Sequence, residues 1–269
     1  MTKLSNNIFL SDGKMADDRK TNNSLWFGDC LELMKGIPNK SINLIYCDLP
    51  YGTTQCKWDE VIPFNEMWKE CKRVLMDYGT IVFHAQNPFT SALIMSNPKM
   101  FKYTWVWEKS KATGFLNSKI RPLVAHEDIV VFAKNKPPYN PQMKEGSAYN
   151  KGVRKEQTVN DVYGSFDQVE VKSDGLRYPR SVQYFKTAES EGKTWHKTQK
   201  PLELAKYIIE TYTSEGEIVL DFTCGSDTTG IASFELGRKS ISIENDIDIY
   251  KLAKKRREGK IKLTSLKII

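Results

Sequence analysis

Residues Val219 to Gly230 read Val-Leu-Asp-Phe-Thr-Cys-Gly-Ser-Asp-Thr-Thr-Gly, an apolar strand that enters a tight turn and then a helix. This order is typical of α/β sheets at the point where they bind a nucleotide or a related cofactor. The turn has neither a G-x-G-x-x-G pattern nor a Gly-Lys-Ser/Thr loop, which disfavours nicotinamide and triphosphate ligands. About 20 residues further on, Glu244 ends the next strand, where a carboxylate can accept both hydroxyl protons of a ribose. The plainer alternative is an ordinary βα turn capped by Asp227 or Thr228.

Outward from this stretch, apolar strands alternate with helical patterns. Apolar residues recur at helical spacing from Met67 and again from Leu204. Buried strands are predicted at 42–47, 80–83, 103–107, 128–133, 217–220 and 240–243. This alternation predicts an α/β fold whose mostly parallel sheet is covered by helices on both faces. Between 135 and 195 the periodicity stops, and the aromatic residues there favour an insertion that folds on the sheet or on a ligand.

The composition excludes several classes of protein. The 269 residues are 40% hydrophobic, enough for a sizeable core, and no apolar run approaches the roughly 20 residues that span a bilayer. The first 23 residues are polar and do not read as a secretory signal. Five scattered cysteines and three histidines argue against a disulfide framework and against a metal site. We therefore expect a cytoplasmic protein without a metal.

The net charge of +7 is unevenly distributed. Segments 99–123 and 134–200 carry +5 each and segment 251–267 carries +7, so the rest of the chain carries −10. Segregated positive charge is what a phosphate-binding face requires. For 251–267, however, the favoured interpretation is a solvated helix end whose cations complement the helix dipole.

A second motif, Asp48-Leu49-Pro50-Tyr51, follows the predicted strand at 42–47. Asp48 can accept a hydrogen bond from an exocyclic amine, and a backbone carbonyl of the stiff turn can accept the other. Together these contacts expose the nitrogen lone pair as a nucleophile, while Tyr51 stacks on the ring. The alternative is a strand-end turn with a buried tyrosine.

With a third element, His196 to Leu202 (His-Lys-Thr-Gln-Lys-Pro-Leu), the chain resembles the DNA amino-methyltransferases that modify adenine N6 or cytosine N4. The motif order resembles the circularly permuted β group, over about Leu25 to Arg257. Residues 48–59 and Trp107-Glu108-Lys109 further resemble phage and bacterial members. The resemblance implies a Rossmann-like fold with a seven-stranded sheet and S-adenosylmethionine (AdoMet) as cofactor. It divides the chain into a polar arm (1–23), a catalytic half (24–134), a target-recognition insertion (135–195) and an AdoMet-binding half (196–269).

The resemblance also implies roles for single residues. Asp48, the carbonyl of Leu49, Pro50 and Tyr51 would hold the target base. Aspartate in the first position is more typical of adenine N6 than of cytosine N4 enzymes. Thr198 and Lys200 would lie near the methionine carboxylate, Glu244 at the ribose and Asp29 at the cofactor's adenine. The full expected cofactor set is Asp29, Cys30, Thr198, Lys200, Asp221, Phe222, Gly225, Ser226, Thr228 and Glu244.

Double-stranded DNA is the expected partner, and its target base must be flipped out to reach such a pocket. We expect Lys109, Lys111, Lys119 and Arg121 to bind phosphate from one loop, with a merely solvated loop as the alternative. Residues 135–195 would read the DNA sequence. Candidates there, chosen by residue type, are Asn150, Arg154, Gln157, Arg177 and Arg180. The trio His126-Glu127-Asp128 is interpreted as a hydrogen-bond network at a strand start rather than as catalytic.

Two departures from the family pattern matter. Leu49 replaces a proline, with little consequence because its carbonyl carries the role. Asp227 replaces a glycine, and if that position needs a positive φ, a non-glycine residue costs roughly 1–2 kcal/mol there. We hypothesise that its carboxylate also repels the cofactor and weakens AdoMet binding. A non-catalytic DNA-binding relative and an RNA or protein amine methyltransferase are the rival functions. The recognition sequence, a homodimer and a cognate restriction endonuclease are left open.

Overall fold

The computed structural model describes residues 23–53, 59–153 and 170–266. They form two compact units, a larger one that ends at Asn140 and resumes at Ser181, and a smaller one at Pro141–Arg180. Residues 1–22 of the predicted arm lie outside the described residues. The helices are α1 (Cys30–Met34), α2 (Phe64–Val74), α3 (Phe89–Ser96), α4 (Leu202–Tyr212), α5 (Thr228–Glu235) and α6 (Ile247–Leu266). The strands are β1 (Asn23–Phe27), β2 (Ile42–Asp48), β3 (Leu75–Ala85), β4 (Phe101–Thr113), β5 (Val124–Phe132), β6 (Lys144–Glu145), β7 (Tyr149–Val153), β8 (Glu170–Ser173), β9 (Leu176–Arg177), β10 (Val182–Phe185), β11 (Ile218–Asp221) and β12 (Lys239–Glu244).

Eight of the described strands form the central sheet, in the order β1-β12-β11-β2-β3-β5-β4-β10. Strand β5 runs antiparallel to both of its neighbours, and the other described neighbours are parallel. The predicted α/β class with a mostly parallel sheet is confirmed. The expected count of seven strands is one too low, because β10 adds to the edge beside β4. Its residues fall within 135–195, the segment interpreted as an insertion.

Alternating side chains of β2 place the two halves of the core on opposite faces of the sheet. Ile45 and Cys47 pack on one face against side chains of α1, α2 and α3. Leu44 and Tyr46 pack on the other face against α4 and α5. Because both faces are covered, β2 is apolar and buried from Leu44 to Cys47, which is the property that predicts it.

The smaller unit contains two antiparallel strand pairs, β6 with β9 and β7 with β8. Arg177 stacks over the ring of Tyr149 with its Cζ 4.7 Å from the ring centroid. It also donates hydrogen bonds to Ser173 Oγ and to the Ser147 carbonyl. Since two-stranded ribbons are marginally stable alone, these contacts of Arg177 support the unit.

Candidate active site

A cavity of about 490 Å³ opens where β2, β11 and β12 end. Its volume lies in the range of small-molecule sites, roughly 300–1,000 Å³. The structure brings the two predicted motifs together here, since Asp48 and Gly225 both line this cavity. Of the predicted residues, the lining includes Asp29, Cys30, Asp48, Leu49, Pro50, Thr198, Lys200, Asp221, Phe222, Gly225, Ser226, Thr228 and Glu244.

Direct hydrogen bonds join the two strand ends. Thr223 Oγ1 donates to the backbone carbonyl of Asp48 at 3.0 Å. One residue earlier in each segment, the Phe222 amide, just after β11, donates to Cys47 Sγ in β2 at 3.4 Å. The adjacent pairing of β11 with β2 thus fixes Asp48 beside the turn after Asp221.

The turn after β11 is held open by Gly225 and Glu244. Gly225 has a φ of 52°, which favours glycine, and a side chain there would meet no atom within 4 Å. Its amide donates to Glu244 Oε2 at 2.9 Å, and the Asp246 amide donates to Oε1 at 2.9 Å. Each carboxylate oxygen keeps a further lone pair for a ligand hydroxyl. Burial raises the pKa of Glu244 above its ordinary value.

Asp227 corrects the expectation derived from the family pattern. Its φ is 65°, so the expected left-handed conformation is present. Its side chain, however, makes no cap hydrogen bond to α5. The fully buried carboxylate instead contacts Arg257 Nε at 2.5 Å and accepts a hydrogen bond from Ser242 Oγ at 2.7 Å. An arginine from α6 therefore meets the charge of Asp227, and Asp227 is not among the residues that line the cavity, which argues against repulsion of the cofactor.

The preceding arginine, Arg256, holds the same turn. Its Nη1 donates to the Ser226 carbonyl at 2.8 Å, to Ser226 Oγ at 3.0 Å and to Thr228 Oγ1 at 2.9 Å. Both Arg256 and Arg257 are buried, so the interpretation of 251–267 as a solvated helix end fails at these two positions. The clue in the sequence was Asp227 itself, since a buried carboxylate in place of glycine requires a cationic partner.

The Asp48 carboxylate is hydrogen-bonded on both oxygens. The Tyr51 hydroxyl donates to Oδ1 at 2.9 Å, and Lys200 Nζ donates to Oδ2 at 2.6 Å. Tyr51, predicted to stack on a base, packs against Phe89 with ring centroids 5.1 Å apart. Lys200, expected near the methionine carboxylate, pairs here with Asp48 instead.

His84 and Glu127 belong to this site; no motif in the sequence indicated His84, and Glu127 was interpreted only as part of a hydrogen-bond network. Glu127 Oε2 lies 3.4 Å from Lys200 Nζ and 3.8 Å from His84 Nδ1. His84 Nε2 is 2.8 Å from the Tyr46 hydroxyl. Burial, with Lys200 adding to it, lowers the pKa of His84 to about 4, which keeps the ring neutral. The trio His126-Glu127-Asp128 lies inside β5 and not at a strand start, and Glu127 and Asp128 have separate partners. Glu127 is linked through Lys200 to the proposed catalytic carboxylate.

The predicted DNA-binding residues divide into buried and exposed groups. Lys109 is 7% exposed and its Nζ lies 3.4 Å from Glu127 Oε1, so it cannot grip phosphate at the surface. Lys111, Lys119 and Arg121 are exposed around the turn from β4 to β5. In the smaller unit, Asn150 donates to Glu170 at 2.7 Å and Arg180 is exposed. Arg154 and Gln157 lie outside the described residues.

Comparison with known proteins identifies the family. A DNA methylase family, the N6/N4 methyltransferases, matches residues 42–255. The type II methyltransferase M.HinfI of Haemophilus influenzae is 30% identical over 91% of this chain and 73% of that protein. The DNA adenine methyltransferase YhdJ of Escherichia coli is 28% identical over 85% of this chain and 80% of its own length.

Two solved structures share the fold. The complex of M1.HpyAVI with SAM has a TM-score of 0.60 and 22% identity, covering 86% of this chain and 97% of its own. The cytosine-N4-specific PvuII DNA methyltransferase has a TM-score of 0.61 and 17% identity, covering 87% and 85%. At these identities the likeness concerns the fold.

The described residues contain neither a helix suited to cross a membrane nor a group of side chains suited to hold a metal ion. No helix in the ranges 23–53, 59–153 and 170–266 is long and apolar enough to cross a membrane. Within the same ranges, no group of three or more His, Cys, Asp or Glu side chains could hold a metal ion.

The family match extends over most of the chain, and both motifs line one cavity. The chain therefore belongs to the N6/N4 family of DNA methylases, with S-adenosylmethionine as its cofactor.

Proposed function

We propose that this protein methylates the N6 amine of adenine at specific sites in double-stranded DNA. The observation that carries the proposal is the Asp48 carboxylate, which lines the same cavity as the Gly225 turn. Aspartate in this position favours adenine N6 over cytosine N4. The 28% identical YhdJ, a DNA adenine methyltransferase, supports the same choice.

The turn after β2 supplies the groups that act on the amine. One oxygen of Asp48 accepts a hydrogen bond from the target NH₂, and the Leu49 carbonyl accepts the second. Both contacts withdraw the nitrogen lone pair from conjugation with the ring and direct it at the methyl group. Pro50 stiffens the turn, and the Tyr51 hydroxyl fixes Asp48 Oδ1. The Tyr51 ring packs against Phe89 and is not part of the cavity lining, so stacking on the base would require the ring to turn toward the cavity. The proton leaves the amine to Asp48 or to solvent.

The turn after β11 supplies the cofactor site. When bound, AdoMet supplies a methyl group activated by its sulfonium sulfur. Glu244 would hold the ribose and Asp29 the cofactor's adenine. Thr198, Ser226 and Thr228 offer hydroxyls for the methionine end, and Cys30, Asp221, Phe222 and Gly225 complete the walls. Two features support the fit. Polar groups line the cavity without filling it, and a side chain added at Gly225 would meet no atom within 4 Å, so there is open space beside this residue.

DNA binding would use two exposed basic regions. Lys111, Lys119 and Arg121 would contact phosphates beside the cavity, and the smaller unit would read the sequence. Arg180 is exposed there, whereas Arg177 and Asn150 would have to exchange their contacts within the unit for contacts with a base. A base inside a duplex cannot reach Asp48, so these contacts must support its extrusion, which costs a few kcal/mol.

A methylation assay followed by nucleoside analysis tests the proposal. We expect labelled AdoMet and genomic DNA to yield N6-methyladenine, with the rate lowered on the order of 100- to 1,000-fold in Asp48→Ala. The matched control is Asp77→Ala, which removes an exposed carboxylate paired with Lys40 elsewhere on the sheet. N4-methylcytosine as the product would overturn the adenine assignment. Label in RNA or protein alone, or DNA binding without label, would overturn DNA methylation.

A further inference from the structure

A buried group of charges lies next to Asp48, formed by Lys200, Glu127 and Lys109 with the neutral His84. Lys200 Nζ is 2.6 Å from Asp48 Oδ2 and 3.4 Å from Glu127 Oε2. Lys109 Nζ is 3.4 Å from Glu127 Oε1. The two carboxylates and two ammonium groups balance in charge. Burying such groups costs free energy that apolar residues of similar size would avoid, so a functional reason is expected.

The Lys200 ammonium group lies near two carboxylates, those of Asp48 and Glu127. Its ammonium group donates to Asp48, while Glu127 lies slightly farther away and faces it across the same space. Glu127 Oε2 makes no hydrogen bond within normal geometry, and neither does His84 Nδ1, 3.8 Å away. The ammonium group therefore has a second acceptor 3.4 Å away, besides the Asp48 oxygen that it now contacts.

This arrangement bears on how Asp48 receives its substrate. In the structure both Asp48 oxygens already accept hydrogen bonds, one from Tyr51 and one from Lys200. An ammonium ion at 2.6 Å competes with an incoming amine, because a charge-assisted hydrogen bond is stronger than one from a neutral NH₂. The amine can take its place at lower cost when the ammonium group has a second carboxylate to move to.

We propose that Glu127 is a positioning residue that draws the Lys200 ammonium group away from Asp48 when the target amine binds. The inference rests on the proposed reaction at Asp48 and applies to adenine and cytosine amines alike. Without the negative charge of Glu127, Lys200 would remain bound to Asp48 and hinder the amine. Burial alone would raise the pKa of Glu127, but the positive charge of Lys200 outweighs burial and lowers it, with a smaller contribution from Lys109, whose Nζ lies 3.4 Å from Glu127 Oε1.

The test is a set of charge-removing variants assayed for DNA methylation at saturating AdoMet. Glu127→Gln keeps the size of the side chain and removes its charge. We expect kcat to fall on the order of 10- to 100-fold, with an unchanged Kd for AdoMet measured by calorimetric titration. Asp128→Asn is the matched control, since the neighbouring carboxylate accepts from Thr90 at 2.7 Å and asparagine can do the same. Its kcat should stay within about twofold of the wild type.

Suppression by a second substitution separates this role from a structural one. Adding Lys200→Gln to Glu127→Gln removes the competing ammonium group, so kcat should rise about fivefold or more above the single variant. A double variant as slow as the single one, or slower, overturns the proposal, and so does a single variant with wild-type kcat. Should Glu127→Gln not fold by circular dichroism, Glu127→Asp keeps the charge but withdraws the carboxylate from Lys200, and its comparison with and without Lys200→Gln decides the role through distance instead of charge. If the wild type methylates cytosine, the adenine assignment fails while this comparison still decides the role of Glu127.

Discussion

Asp227 shows how a single unusual residue is accommodated at the turn before α5. Its backbone is left-handed and its carboxylate is fully buried against Arg257. Gly230 is required beside them, because a Cβ there would fall 2.4 Å from the Arg257 guanidinium. The ion pair ties α6 to the cofactor turn, while the carboxylate stays outside the cavity lining.

We therefore predict that Asp227→Gly lowers stability without changing AdoMet affinity. Removing one partner of a buried pair costs about 3–5 kcal/mol, and relief of the left-handed backbone returns roughly 1–2 kcal/mol. The free energy of unfolding measured in urea should fall by about 2 kcal/mol. Arg257→Met added to Asp227→Gly should recover part of the loss, because no unpaired charge remains. Tighter AdoMet binding in Asp227→Gly would contradict this and restore the hypothesis of repulsion.

At the scale of elements, the turn between β4 and β5 projects beyond the sheet. Asp128 pairs with Ala85 at the end of β3, whereas Val124 pairs with Thr113 four residues further out. At about 3.3 Å per residue, the tip extends on the order of 13 Å past the edge at which Asp48 lies. At this position the exposed cations of the turn are available to contact the phosphates of a bound duplex.

We expect the double variant Lys119→Gln/Arg121→Gln to bind DNA more weakly and with less dependence on salt. If both side chains contact phosphates, the slope of log K against log salt becomes shallower by about 2. The matched control is Lys254→Gln/Lys255→Gln, which removes the same charge from exposed positions of α6. Equal slopes for the two double variants, measured by fluorescence anisotropy, would show that the turn does not contact phosphate.

The elements that could be predicted from the sequence are those whose burial is periodic. Strands β2 and β11 are covered on both faces and therefore appear as apolar runs. Strand β10 was not predicted because it is short and lies at the edge of the sheet. Val182 and Tyr184 are about half exposed there, so the strand has no continuous apolar run. The pairing of Glu127 with Lys200 could not be predicted, since it depends on the register of β5 against β3. Sequence motifs thus located the cavity, while tertiary pairing determined the charges around Asp48.

At the scale of the whole molecule, the buried Asp221 at the end of β11 links folding to pH. Burial raises its pKa to about 7, although the Thr223 amide donates to it at 3.1 Å. The unfolded chain releases this proton near pH 4, so the folded state holds one proton more between about pH 4 and 7. The stability from this group is complete below that window and declines as the pH rises through it, by at most about 1.4 kcal/mol per pH unit.

Asp221→Asn removes the titration and keeps the size of the side chain. We expect the free energy of unfolding, measured in urea at pH 5 and pH 8, to fall less in Asp221→Asn than in the wild type. The difference between the two proteins isolates Asp221, because His84 and the other buried groups titrate in both. The same dependence in both proteins would mean that Asp221 is ionised in the folded state throughout the window. It would then add a negative charge to the cavity wall beside Asp48.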